Sequence, residues 1–209
     1  MSKQDTAGGH ICGLFETEDE QLAIAADYVA EGLRRGERCF YAAASPAALA
    51  RFRVALDARG VDSGAAFRRG ALVLTTNAEV HLAGGRFDSE RMLRLLNNAV
   101  EAALNDGFQG LRTCGDMSWL LEEPEGSEQV VEYEAFLNQF FRGVRAEGMC
   151  LFDRARLPAA LIDHALATHP TVCFATRRVS NPFFEPSASG SRIPQSDRVG
   201  SKLVELQRQ

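Results

Sequence analysis

Residues 31–75 read EGLRRGERCFYAAASPAALARFRVALDARGVDSGAAFRRGALVLT, and their punctuation sets the architecture. Gly36-Glu37-Arg38 opens a β-rich run, so Glu37 to Ala43 is a strand. Pro46 stands where a helix begins, in the first turn, which needs no N–H. That helix runs to Gly60, a C-cap residue. After Gly70 the apolar run Ala71–Thr75 is the next strand. Strand, helix and strand in one short stretch make a βαβ unit with parallel strands.

The same alternation continues in both directions. Upstream, residues 10–15 form an apolar strand, and Leu22, Ala25, Ala26, Val29 and Leu33 fall on one helical face. Downstream, a loop from Asn77 to Phe87 leads to a helix capped by Asp88 or Ser89, with the stripe Met92, Leu95, Leu96, Ala99 and Ala103. A strand at Gly110–Gly115, an acidic loop at Glu122–Ser127 and a helix striped by Val130, Tyr133, Leu137, Phe140 and Val144 follow. Strands at Met149–Asp153 and Thr171–Ala175 flank a helix at Pro158–Thr168. The expected fold is α/β, three layers deep, with a mainly parallel sheet flanked by helices. It spans residues 8–184. Residues 185–209, rich in Ser, Pro and Gly, read as a flexible tail in which Val199–Gln207 forms a last short helix.

A chain of 209 residues buries enough surface for a core without disulfides or metal. Its net charge of −5, with no basic cluster longer than an Arg pair, argues against a direct nucleic-acid surface. No apolar run reaches the length of a membrane span. Five cysteines without paired spacing suit a reducing compartment, and the expected location is the cytoplasm. Monomer and homodimer are both open.

The stretch from Glu31 to Thr75 resembles the part of KaiC-like, RecA-type ATPases that follows the phosphate-binding loop. Where such an ATPase carries a Gly-rich run ending in Lys and Ser/Thr, this chain has His10-Ile11-Cys12-Gly13-Leu14-Phe15-Glu16-Thr17-Glu18-Asp19-Glu20. The Lys is missing and carboxylates stand where phosphate would go. The resemblance therefore implies a degenerate nucleotide site, with ATP disfavoured as a cofactor.

Three groups of residues are candidates for a site. His10 and Cys12, two apart on a strand, point to one face. They offer an imidazole and a thiol to a metal or ligand, or they are core residues. Asp116 and Trp119 follow the fourth strand. In the resembling ATPases that position holds the magnesium-binding acid; here Asp116 either contributes to a site or caps the next turn, and Trp119 either walls a pocket or fills the core. Cys150 and Asp153 lie on the fifth strand, which RecA-type order places beside the first. His10, Cys12 and Cys150 would then share a pocket, three ligands for a transition metal such as zinc, or the lining of a metal-free organic site. His169-Pro170 reads as a structural turn at the wrong end of its strand. His81, His164, Cys39, Cys114 and Cys173 are assigned to structure, and Tyr133 to the core.

In order and spacing, HICGLFETEDE, EGLRRGERCFY, GLRTCGDMSWLL, EYEAFLN, MCLFDRARLP and ATHPTV resemble the MEDS sensory domain. The family takes its name from methanogens, methylotrophs and a dichloromethane-responsive repressor. The resemblance implies a KaiC-like fold without ATPase function and a non-catalytic sensor of simple hydrocarbon derivatives. It implies roles for His10 and Cys12, and it favours Asp116 and Cys150 as pocket residues. It further implies output through a separate histidine kinase or transcription regulator. Two other readings stay open: an enzyme with residual nucleotide or cysteine chemistry, and a docking platform with an apolar surface patch around Phe183-Phe184.

Overall fold

The computed structural model describes residues 9–186 and residue 206. The elements in chain order are β1 (His10–Phe15), α1 (Glu18–Arg34), β2 (Arg38–Ala43), α2 (Pro46–Asp57), α3 (Ser63–Arg68) and β3 (Leu72–Thr76). They continue with α4 (Ser89–Asn105), β4 (Leu111–Asp116), α5 (Val130–Gly143), β5 (Ala146–Asp153), α6 (Ala159–Thr168), β6 (Thr171–Phe174) and β7 (Arg177–Ser180). Seven strands form one sheet in the order β3-β2-β4-β5-β1-β6-β7. All pairs are parallel except β6 with β7, which is antiparallel.

Two apolar clusters divide the molecule into three layers. On one face α1, α2 and α3 pack Ile24, Val29, Phe52, Leu56 and Ala66 against Ile11, Tyr41, Leu72 and Leu151. On the other, α4, α5 and α6 pack Leu96, Leu137, Phe141 and Ile162 against Cys12, Leu14, Phe152 and Val172. The alternation of β1 decides the split: residues 10, 12 and 14 face α5 and α6, and residues 11, 13 and 15 face α1.

Most elements lie where the sequence places them, with four differences. The helix from Pro46 ends at Asp57, and Gly60, at φ 75°, turns the chain out of it. Asp62 then caps the short helix α3, receiving the Ala65 N–H at 2.7 Å. Strand β5 begins three residues before Met149. Beyond β6, Ala175 turns at positive φ and the chain returns as β7. The apolar patch expected around Phe183-Phe184 is absent, because Phe183 packs against the core and Phe184 is half-buried. Of the segment expected as a flexible tail, residues 187–205 and 207–209 lie outside the described residues. Leu206 is described and is buried in the core.

Candidate functional site

At the C-terminal end of β1, two residues, Glu16 and Thr17, connect the strand to α1. Thr17 Oγ1 accepts the Glu20 N–H at 3.2 Å, and the Glu20 carboxylate accepts the Glu16 N–H at 2.8 Å. Two of the donors at this turn, the Glu16 and Glu20 N–H groups, are thus met by the helix's own side chains. Glu16 pairs with Arg154 at 3.0 Å, and Glu18 pairs with Arg51. A recess of about 320 Å³ remains beside this turn, and its walls include Leu14, Glu20, Phe174 and Leu206.

Asp116 and Asp153 stand at the same end of the sheet. Each caps a turn: Asp116 Oδ1 accepts the Ser118 N–H at 2.9 Å, and Asp153 Oδ1 accepts the Ala155 N–H at 3.0 Å. Burial pushes the Asp116 carboxyl upward against those hydrogen bonds. Trp119 is buried and stacks on Phe87 and on His81, with ring centroids 5.1 and 5.5 Å apart.

A second cavity, of about 70 Å³, lies between the sheet and helices α4 and α5. Strand residues Phe40 and Thr113 form its base, and Leu96, Tyr133 and Leu137 form its roof. His81 closes one side from the loop after β3, and Arg91 of α4 holds that loop by donating to the Val80 and His81 carbonyls at 2.7 and 2.8 Å. His81 Nδ1 lies 2.9 Å from Asn77 Oδ1, an acceptor to which this nitrogen donates. Its ring rests on Gly115, where any Cβ would stand 3.3 Å from it. Burial lowers the His81 pKa to about 4, so the ring is neutral. The cavity is apolar apart from a few convergent polar groups, the pattern of a small-molecule site.

Two of those polar groups, Glu134 and Cys150, also belong to a buried cluster. His10 Nε2 lies 3.1 Å from Glu134 Oε2 and 3.6 Å from Cys150 Sγ. His169 Nε2 lies 3.3 Å from the same Glu134 oxygen. The sheet order explains the meeting: β1 runs between β5 and β6, so His10 faces Gly148 on one side and the turn before Thr171 on the other. Asn181 fixes that turn by donating to the Leu166 and His169 carbonyls, both at 2.6 Å. The His10 and His169 rings lie 3.8 Å apart between centroids. Burial, aided by His169, lowers the His10 pKa to about 4 although Glu134 opposes it. Burial would raise the Glu134 carboxyl, but the two imidazoles hold it well below the usual carboxylate range. The Cys150 and Cys12 thiols are both pushed far up, first by burial and then by the Glu134 charge.

The six residues singled out in the sequence therefore do not converge. His10 and Cys150 come together. Cys12 is opposite Cys150 in the ladder, as expected from the strand order, but packs among apolar side chains outside the cluster. Trp119 supports His81 from behind and does not line the cavity, and Asp116 and Asp153 cap turns at the other end of the sheet. Glu134 and His169 complete the cluster instead. A sequence signal for Glu134 existed: it sits inside the stripe Val130, Tyr133, Leu137, Phe141 at helical spacing, a carboxylate on a buried face.

A comparison with known families matches residues 9–170 to the MEthanogen/methylotroph, DcmR Sensory domain, MEDS. The chain belongs to the MEDS family. One relative is the transcriptional repressor DcmR of Methylorubrum extorquens, 27% identical over 161 residues. That alignment takes in 77% of this chain and 57% of the repressor, so the MEDS chain spans little more than half of that relative. Among solved structures, a KaiC-like protein from the hyperthermophilic archaeon Pyrococcus horikoshii superposes with a TM-score of 0.53 at 13% identity, over 79% of this chain and 70% of that one. This likeness establishes the KaiC-like, RecA-type fold of the MEDS domain. Among the described residues, no helix is long and apolar enough to cross a membrane.

Proposed function

We propose that this MEDS domain is a non-catalytic, cytoplasmic ligand-binding module of a transcription-control or signal-transduction system, and that its ligand is a small apolar organic molecule. The observation that carries this reading is the cavity of about 70 Å³ beneath α4 and α5, apolar in its walls and faced on one side by Cys150 and Glu134. An engineered apolar cavity of about 150 Å³ takes up benzene, so a smaller one suits a molecule of a few heavy atoms. The similarity to a transcriptional repressor supports a regulatory setting, with a transcription regulator or histidine kinase as output partner. The self-capped turn at Glu16–Glu20 supports a role without nucleotide. A cysteine nucleophile needs its thiolate, and burial keeps Cys12 and Cys150 protonated.

Ligand-induced thermal stabilisation tests the reading. A series of short hydrocarbons, alcohols and halocarbons should contain a member that raises Tm in a concentration-dependent way. At 100 times its Kd the gain is about 2.7 kcal/mol. Leu96→Phe, which fills the cavity, should abolish the gain while leaving the fold intact. If no member of the series stabilises the protein, or if the filled variant responds like the parent, the cavity is not the sensor site.

A further inference from the structure

Five buried polar atoms without a hydrogen bond among the described residues gather at one place: Glu134 Oε1 and Oε2, His169 Nε2, His10 Nδ1 and Asn138 Oδ1. Buried polar atoms are nearly always paired, so such a concentration marks the position of a missing occupant. We infer that His10, Glu134, Cys150 and His169 form a metal site for a divalent transition ion such as zinc. The ligand atoms of these four buried residues lie within 4.8 Å of one another.

Three of the six spacings bracket those around a bound ion, and the whole set closes to within 4.8 Å. Zinc bonded to nitrogen or oxygen at about 2.0–2.1 Å and to sulfur at about 2.3 Å sets tetrahedral ligand atoms roughly 3.3–3.6 Å apart. The contacts of 3.1, 3.3 and 3.6 Å between these side chains fall around that range. Glu134 Oε2 and His169 Nε2 stand 3.3 Å apart, yet neither has a partner in hydrogen-bond geometry among the described residues. His169 is oriented as a ligand. Its Nδ1 donates to the Ala165 carbonyl at 2.7 Å, which leaves the Nε2 lone pair facing the cluster.

The donor set of two imidazoles, one thiolate and one carboxylate suits a borderline-soft dication. Binding replaces the Cys150 S–H bond with an S–metal bond and releases that proton to solvent. One thiolate and one carboxylate then balance the charge of the ion. The ligands come from β1, α5, β5 and the turn after α6, so no local Cys/His motif announces the site. Cys12 takes no part. The inference does not depend on an organic ligand in the cavity, although Glu134 and Cys150 lie in its wall.

The test is metal titration of the full chain, first stripped by chelation and then given zinc or cobalt(II) alone. One ion per chain is expected, with a sulfur-to-cobalt charge-transfer band. The band should vanish in Cys150→Ser and persist in Cys12→Ser. Glu134→Gln and His169→Gln should each weaken binding by at least about tenfold. X-ray absorption of the unaltered cobalt protein, which needs no variant to fold, should show a single sulfur ligand. No uptake at micromolar metal, a band that follows Cys12, or two sulfurs at the ion would overturn the assignment.

Discussion

The Phe141 ring lies directly over Gly148, so close that a methyl group added to the glycine would stand 2.3 Å from the ring tip. Gly148 is the ladder partner of His10, and the same Phe141 ring packs 5.7 Å from the His10 imidazole. The absent side chain on β5 thus sets the height of α5 above the sheet, and with it the reach of Glu134. Gly148→Ala should destabilise the protein by about 1–3 kcal/mol through overpacking, measured by urea denaturation. Gly115→Ala, whose new carbon would meet only the movable His81 ring at 3.3 Å, should cost less. Equal costs would show that α5 has room to rise.

Leu96 is buried in the roof of the cavity. Leu96→Ala should cost about 2–4 kcal/mol and enlarge the space. Larger apolar probes such as benzene should then bind where the parent excludes them, which nuclear magnetic resonance of the protein with dissolved benzene would register. A destabilised variant with unchanged probe preference would place ligand access elsewhere.

His81 gives stability a pH dependence of known sign. Its folded pKa is about 4, against 6.5 for the free side chain. Above pH 6.5 both states are neutral there. As pH falls below that value the unfolded chain takes up the proton first, so stability is lost progressively until about pH 4. His81→Phe should remove on the order of 3 kcal/mol of that loss. Chemical denaturation at pH 7 and pH 4.5 compares the two proteins; parallel slopes would contradict a buried neutral imidazole.

Much of this arrangement is legible in the chain. The punctuation at Gly36, Pro46 and Gly70 yields β2, α2 and β3, and the RecA-type order that the resemblance implies, with β5 beside β1, yields the Cys12–Cys150 pair. Short-range signals were weaker where turns replace regular structure. Asp62 capping α3 and Ala175 turning into β7 depend on single residues with no periodicity behind them. The cluster was half legible. His10 and Cys150 stand out by residue type. Glu134 was hidden beside Tyr133 in an apolar stripe, and His169 by its place at the start of a strand, the end of the sheet where ligands are not expected. Their meeting is a consequence of strand order, which no local pattern contains.

Arg112 is buried at 1% exposure under Tyr28, with Glu147 at 2.8 Å and Glu37 and Glu31 alongside. Arg112→Met should cost about 3–5 kcal/mol, because those carboxylates lose their shared cation. A variant carrying Glu37→Gln as well should recover part of that loss in thermal denaturation; no recovery would indicate that the guanidinium acts mainly by filling space.

A non-hydrolysable ATP analogue with magnesium, at millimolar concentration, should leave Tm unchanged. Glu16, Glu18 and Glu20 crowd the turn, and the Glu16 and Glu20 N–H groups already have acceptors. A concentration-dependent rise would restore a nucleotide role to the recess beside Leu14.

The contact between the rings of His10 and His169 also fixes when the cluster can exist. One residue opens the first strand and the other precedes the sixth, so nearly the whole fold must be synthesised before they meet. At translation speeds of about 5–20 residues per second, His10 waits roughly 8–30 s for its partner. Pairings over such separations also close late in folding, since loop entropy is lost before contact is gained. The four-residue cluster is therefore complete only after assembly, and a nascent fragment ending before residue 169 lacks one of its members.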